Sequence, residues 1–370
     1  MRKCISVENL KDMNEYTCEK RKRGRSLLIV EGDHEKNKLF RLIFKCFPEM
    51  NISMDDIWIY GTNIYVLYGD IVKEYGSEWA DEEDIDLPFV ISKKRHPENL
   101  CYKEDFINII LIFDYERHDT YFSETKILEM QKYFADAADM GKLYINYPMI
   151  ESYQHLKTLP DHEYEDRKVP VSLQPGRKYK ALVGRETTIS PIIELPYRME
   201  DLLAGRFGIS DTQKREECCN AVLEIADKRD MENSLRKVAQ NISKDSEQST
   251  LEHQLRDWIV RAGYADAGKT FWQYVRSVFQ EIICHNICKA NKILNNQYQI
   301  KREDYKKCFD NLELTKILHI QNIASRNSNT GYIWVLNTCV FFVAEYNFAL
   351  VLEAPDNGAN NYGADFSGRR

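Results

Sequence analysis

The sequence predicts an α/β protein: a doubly wound, mostly parallel sheet followed by a mainly helical region. Three observations carry this expectation. The runs Leu27-Leu28-Ile29-Val30 and Ile109-Ile110-Leu111-Ile112-Phe113 are apolar but too short for an ordinary helix, which is the pattern of strands buried on both faces. Between them lie stretches with helical spacing, so that strands and helices alternate. Past about residue 200 the helical spacing dominates.

The first strand covers 26–30. A helix follows from about Glu35 to Phe47, with Leu39, Leu42, Ile43 and Cys46 as its apolar stripe. Ile57-Trp58-Ile59-Tyr60 is a short second strand, and Gly61-Thr62-Asn63 turns into a helix carrying Ile64, Leu67, Ile71 and Val72. The acidic stretch Glu78 to Asp86 reads as a solvated loop. The strand at 109–113 precedes a helix from near Ser123 to Ala138, and Lys142 to Tyr147 forms another strand. Pro148 suits the first turn of a helix. Residues 160–196 contain five prolines, two glycines and many charges, which predicts loop or irregular insertion. Ser249-x-x-Glu252 forms a capping box ahead of Leu251, Leu255, Trp258 and Ile259. Helices near 270–293 and 303–324 follow, and Tyr332 to Val343 reads either as strand or as buried helix. The expected organisation is a sheet domain over 1–160, an irregular basic insertion over 161–200 and a helical domain over 201–370.

With 43% hydrophobic residues and a net charge of −7 across 370 residues, the chain is of ordinary globular composition. The acidic total argues against a general nucleic-acid coat but allows a local basic patch. Lys20-Arg21-Lys22-Arg23-Gly24-Arg25 reads as a solvated lead-in. The apolar uncharged stretch Gly331 to Ala344 is shorter than the ~20 residues of a membrane helix. No secretory signal or membrane association is expected. The ten cysteines include no Cys-x-x-Cys pair, and a reducing cytoplasm fits them best. Cys284-His285-Asn286-Ile287-Cys288 lies in a helical pattern whose apolar face holds Phe271, Val275, Val278, Ile282 and Cys288. This reads as buried thiols rather than zinc, which normally takes four structural ligands.

The chemistry is concentrated at strand ends. Glu31 follows the first strand, and Asp114-Tyr115-Glu116 follows a later one. In a parallel sheet ligands bind beyond the carboxyl ends of the strands, so these acids should arrive at one edge. Oxygen-only clusters suit Mg²⁺ or Mn²⁺. Glu31, Asp114 and Glu116 are the candidate catalytic residues and metal ligands. Glu35, one helical turn after Glu31, and Glu151, at a strand-to-helix junction, are further candidate ligands. Any one of these glutamates taken alone has the ordinary reading of a helix-start residue favoured by the dipole. Arg177-Lys178-Tyr179-Lys180 and Arg185 combine cations with an aromatic, which reads either as a solvated charged loop or as a pattern suited to a nucleic-acid strand.

Val30-Glu31-Gly32 and Asp114-Tyr115-Glu116, each after a strand, resemble the TOPRIM fold shared by topoisomerases, primases and a group of bacterial nucleases. Asn146-Tyr147-Pro148-Met149-Ile150-Glu151-Ser152-Tyr153 looks like the motif carried after the last sheet strand by small TOPRIM effectors, which pair with ATPases in abortive infection. The overcoming-lysogenization-defect nucleases are similar. The resemblance spans about residues 26–160. It implies a Mg²⁺- or Mn²⁺-dependent nuclease acting on DNA or on structured RNA such as tRNA, as a toxic anti-phage effector controlled by an ATPase sensor subunit. Homo-oligomerisation is left open. The resemblance also points to Lys180 as the lysine such nucleases use near their metals. The chain departs from the family in placing Glu116 where an aspartate is usual, and Asp119 stands where a further acid often occurs. No P-loop motif is present in the sequence. The alternative is a non-catalytic protein that keeps the fold and binds nucleic acid or a partner.

Overall fold

A computed structural model describes residues 25–173, 176–242 and 245–352. The basic run Lys20–Gly24 lies outside them. The chain forms two compact units that interleave along the sequence. The first takes the described parts of Met1–Lys38, Ile52–Asp114 and Asp119–Ile145; the second takes Leu39–Asn51, Tyr115–His118 and the described parts of Asn146–Arg370.

A five-stranded, mainly parallel sheet organises the first unit. Its strands are β1 (Arg25–Val30), β2 (Ile57–Ile59), β3 (Phe106–Asp114), β4 (Ala135–Asp136) and β5 (Gly141–Asn146), in the order β2-β1-β3-β5-β4. β1 is parallel to both neighbours, with Val30 opposite Ile59 on one side and Ile112 on the other. β4 is antiparallel to β5. Leu27, Leu28, Ile29 and Val30 are fully buried, as are Leu111, Ile112 and Phe113. Each such side chain contributes about 1.5–3 kcal/mol of burial. This explains why these runs show no polar alternation.

The helices of this unit are α2 (Ile64–Tyr75), α3 (Leu87–Arg95) and α4 (Glu124–Tyr133); the preceding α1 (Arg41–Cys46) belongs to the second unit. Asn63 caps α2 by accepting from the amides of Tyr65 and Val66. Ser123 caps α4 through the Lys126 amide. The expected helix to Ala138 stops at Tyr133 because Ala135 and Asp136 pair with β5 instead. The acidic loop after α2 is anchored by Trp79, fully buried against Tyr68, Tyr133 and Phe134. α3 is absent from the sequence reading.

In the second unit, residues 160–196 are a correction to the expected irregular insertion. They contain β6 (Lys168–Pro170), α5 (Gly176–Glu186), α6 (Ser190–Ile193) and part of α7 (Leu195–Asp201). Pro191 and Pro196 sit in first helical turns, where the missing amide costs no hydrogen bond. Pro148 follows a cis bond from Tyr147 rather than opening a helix. The helices α8 (Thr212–Leu223), α9 (Lys228–Ile242), α10 (Asp245–Ala262), α11 (Phe271–Asn295), α12 (Tyr305–Asp310) and α13 (Leu314–Ser325) follow. Strand β7 (Tyr332–Trp334) pairs antiparallel with β6, and α14 (Phe341–Tyr346) and α15 (Ala349–Leu352) complete the described chain. The 332–343 stretch is therefore strand first and helix at its end. α10 begins before Ser249, so Ser249 lies within the helix. The capping box stands instead at Thr270 and Gln273, opening α11.

α11 carries the expected apolar face, with Phe271, Val275, Val278, Ile282 and Cys288 all buried. Gln280, His285, Asn286, Lys289 and Asn291 are buried in it too, and each finds partners. Lys289 donates to the carbonyls of Tyr164, Glu165 and Arg167 at 2.7, 2.7 and 2.9 Å. Burial pulls this amine down, to about 6. Asn286 accepts from the Tyr164 hydroxyl and the Asn337 amide. The Gln321 side chain bonds both backbone groups of Trp334 at 3.0 Å, acting as a further strand beside β7.

His285 accepts at Nε2 from the Asp161 amide, 3.1 Å away, so its proton resides on Nδ1, 2.6 Å from the Tyr298 hydroxyl. Burial lowers its pKa to about 4, below the 6.5 of the unfolded chain. The resulting stabilisation is complete above pH 6.5 and is lost as pH falls towards 4. This loss amounts to at most about 3 kcal/mol. Urea midpoints should fall across that window, and His285→Gln should flatten the fall while lowering stability at pH 7.5. An unchanged slope in the variant would assign the acid sensitivity elsewhere.

Candidate functional site

Strand order fixes where a site should form. The chain leaves β1 for β2 on one side and returns to β3 on the other. The crevice beyond the carboxyl ends of β1 and β3 is thus a topological switch point, the usual ligand position in such sheets. Glu31 is the first residue after β1, and Asp114 is the last of β3. The Asp114 amide donates to Oε2 of Glu31 at 3.1 Å. The two acids 83 positions apart are therefore neighbours, and Asp114 is only 4% exposed.

Glu35 is equally buried, and its Oε2 accepts from the Gly32 amide at 3.1 Å. It braces the turn that presents Glu31. Asp119, raised as a further acid, accepts from Asn63 Nδ2 and from the Tyr121 amide, both at 2.6 Å. Its carboxylate ties its own loop to the start of α2.

The other candidates belong to the second unit. Glu116 is half-buried with φ +38, a left-handed conformation uncommon for a residue with a Cβ. Its neighbours hold it there. Tyr115 donates its amide to the Asn146 carbonyl at 3.0 Å and its hydroxyl to Asn322 at 2.7 Å, while Arg117 donates to Ser325 at 3.2 Å.

Glu151, 5% exposed, forms an ion pair with Lys180 at 2.9 Å. Lys180 lies on α5 with Arg177, Lys178 and Arg185, and all four are exposed. These cations occupy a helix face, not a loop; Tyr179 and Val183 are buried behind them. α5 is held to the preceding segment through His155. Glu186 can only accept, so His155 Nε2 carries the proton at 3.0 Å and Nδ1 accepts from the Tyr179 hydroxyl, also at 3.0 Å. Burial lowers the His155 pKa.

Among the described residues, no group of three or more His, Cys, Asp or Glu side chains is gathered so as to hold a metal ion. The Glu31–Asp114 pair is what the fold assembles in the first unit. No family model, curated protein or solved structure matches the chain. No helix among the described residues is long and apolar enough to cross a membrane.

The sequence reading missed Arg95, the last residue of α3. Its guanidinium donates to the Tyr60 carbonyl and lies 5.1 Å from the Tyr60 ring centre. The signal for α3 was legible: Asp86 caps it by accepting from the Phe89 amide, and Pro88 occupies its first turn.

Proposed function

We propose that the protein is a divalent-metal-dependent nuclease on a TOPRIM-like sheet, hydrolysing phosphodiester bonds of DNA or structured RNA. The observation that carries this reading is the Glu31 carboxylate held against the Asp114 amide at the β1/β3 switch point. The donor set is oxygen only, which suits Mg²⁺ or Mn²⁺. Mg²⁺ commonly takes one or two carboxylates and completes its shell with waters and substrate phosphates. The pair therefore fits such an ion without a third protein ligand beside it.

Glu31 and Asp114 would hold the ion, with Glu116 the next acid along the chain. Once bound, the ion would neutralise charge on the phosphate and ready a water for attack. The Asp114 amide and the Glu35-braced turn keep the Glu31 carboxylate in one orientation. The exposed face of α5 would meet phosphates through Arg177, Lys178, Lys180 and Arg185. The role as an anti-phage effector governed by an ATPase partner is supported by the motif resemblance and belongs to the same proposal.

Purified protein with Mn²⁺ or Mg²⁺ and end-labelled DNA and RNA tests the reading. Changes to outer-shell partners already cost 10–100-fold in metal affinity or activity, so Glu31→Ala should lower metal-dependent cleavage by more than about a hundredfold and weaken Mn²⁺ binding seen by calorimetry. The competing reading is a non-catalytic protein that keeps the fold and binds nucleic acid or a partner, motivated by Glu116 standing where an aspartate is usual and by the acidic net charge. That reading prevails if wild-type protein neither cleaves nor binds Mn²⁺.

A further inference from the structure

We propose that Arg95 is the phosphate-contacting cation of the β1 edge, gripping a phosphodiester oxyanion beside Glu31. The inference rests on the nuclease reading for its consequence, and on the geometry of the first unit for its argument. Past β2 the β1–β2 ladder continues: the Tyr60 amide donates to the Val30 carbonyl and the Gly61 amide to the Glu31 carbonyl, both at 2.8 Å. Continuing the Val30–Ile59 register, Tyr60 lies opposite Glu31, and Gly61 is the next residue along, its amide on the Glu31 carbonyl, with the two strands about 4.8 Å apart. A Cβ at Gly61 would lie 3.7 Å from Nη2 and 3.9 Å from Nη1 of Arg95. The guanidinium thus rests over a residue with no side chain, one strand from the candidate acid. Gly61 has φ +80, a conformation a Cβ would strain.

Charge pairing singles Arg95 out. α3 ends in three cations. Lys93 pairs with Glu74 at 2.8 Å and Lys94 with Asp70 at 2.5 Å. Among the described residues Arg95 has no carboxylate in ion-pair range. It is exposed, and its one hydrogen bond, to the Tyr60 carbonyl, occupies a single donor of five. The remaining fork matches two oxygens of a phosphate. A substrate phosphate approaching two carboxylates needs such a counter-charge. A surface arginine that only caps the Tyr60 carbonyl would leave nucleic-acid binding unchanged when removed.

Fluorescence anisotropy separates these cases. The probes are a labelled single-stranded DNA and an RNA of the same sequence, without divalent ions, over about 50 to 200 mM salt. Arg95→Gln should weaken binding about tenfold and reduce the slope of log affinity against log salt by about one. Arg95→Lys should restore the slope, and Lys94→Gln should leave it unchanged. Circular dichroism melts establish that the variants fold. Arg95→Gln behaving as wild type, or wild type binding neither probe, overturns the proposal. The DNA and RNA arms identify which strand supplies the phosphate. Metal-dependent cleavage that survives in Arg95→Gln removes the Arg95 assignment and keeps the nuclease. A lost salt slope without metal-dependent cleavage in wild type keeps the Arg95 site and removes the nuclease.

Discussion

Asp161→Ala is expected to cost the second unit about 3–5 kcal/mol, because it leaves a buried guanidinium without its counter-ion. Asp161 is 1% exposed and Arg167 8%, and Arg167 grips the Asp161 carboxylate through both terminal nitrogens. The same carboxylate accepts from the amides of Lys157 at 2.7 Å and Glu163 at 3.0 Å. Burial pushes the Asp161 pKa up, but Arg167 and the two amides outweigh it, so the net displacement is downward. Arg167 also donates to the His155 carbonyl at 2.8 Å, so one deletion loosens the loop that leads into β6 and the histidine that holds α5. Chemical denaturation should show the loss. Combining Asp161→Ala with Arg167→Met should recover part of it by removing the stranded charge. A loss below about 1 kcal/mol would mean that the pair contributes no more than an exposed ion pair.

Glu116→Gly is expected to move stability and activity in opposite directions. At φ +38 a residue with a Cβ carries about 1–2 kcal/mol of backbone strain. Glycine relieves it, offset in part by its greater freedom in the unfolded chain. The net expectation is stabilisation of about 0.5–1 kcal/mol, read as a raised unfolding midpoint. If Glu116 contributes to phosphodiester hydrolysis, cleavage by the same variant should drop about a hundredfold or more. Strain retained at a position whose relief destroys activity is the pattern of a functional residue. A lower midpoint would show that the side chain stabilises more than the backbone is strained, and unchanged cleavage would take Glu116 out of the chemistry.

The sheet and its acids were legible because parallel strands buried on both faces leave unbroken apolar runs, and because polar residues stop those runs where the chain reaches the ligand edge. Glu31 and Asp114 could be paired on that basis alone. The register that sets the Glu31 oxygen against the Asp114 amide, and the strand order that makes their edge a switch point, depend on long-range pairing that local spacing does not encode. Proline misled: counted as loop-forming over 160–196, Pro191 and Pro196 instead open helices. Polar residues inside the helices gave no sign of being core: Gln321, Asn286 and Lys289 are buried because partners distant in sequence satisfy them. Arg95 escaped notice for a related reason, since its guanidinium is placed by the Tyr60–Gly61 backbone, not by any motif.

The interleaving of the two units bears on how the chain comes off the ribosome. α1 emerges well before the bulk of its unit, with Leu42, Ile43 and Cys46 on its buried side. Its packing partner α11, and Arg276, which donates to the Cys46 carbonyl at 3.0 Å, arrive more than 200 residues afterwards. Until then this greasy turn has nothing native to cover it, a condition that invites aggregation or chaperone capture. A cut near residue 160 would make that waiting permanent, so the strands bearing Glu31 and Asp114 cannot be harvested as a clean fragment by trimming the polypeptide from its end.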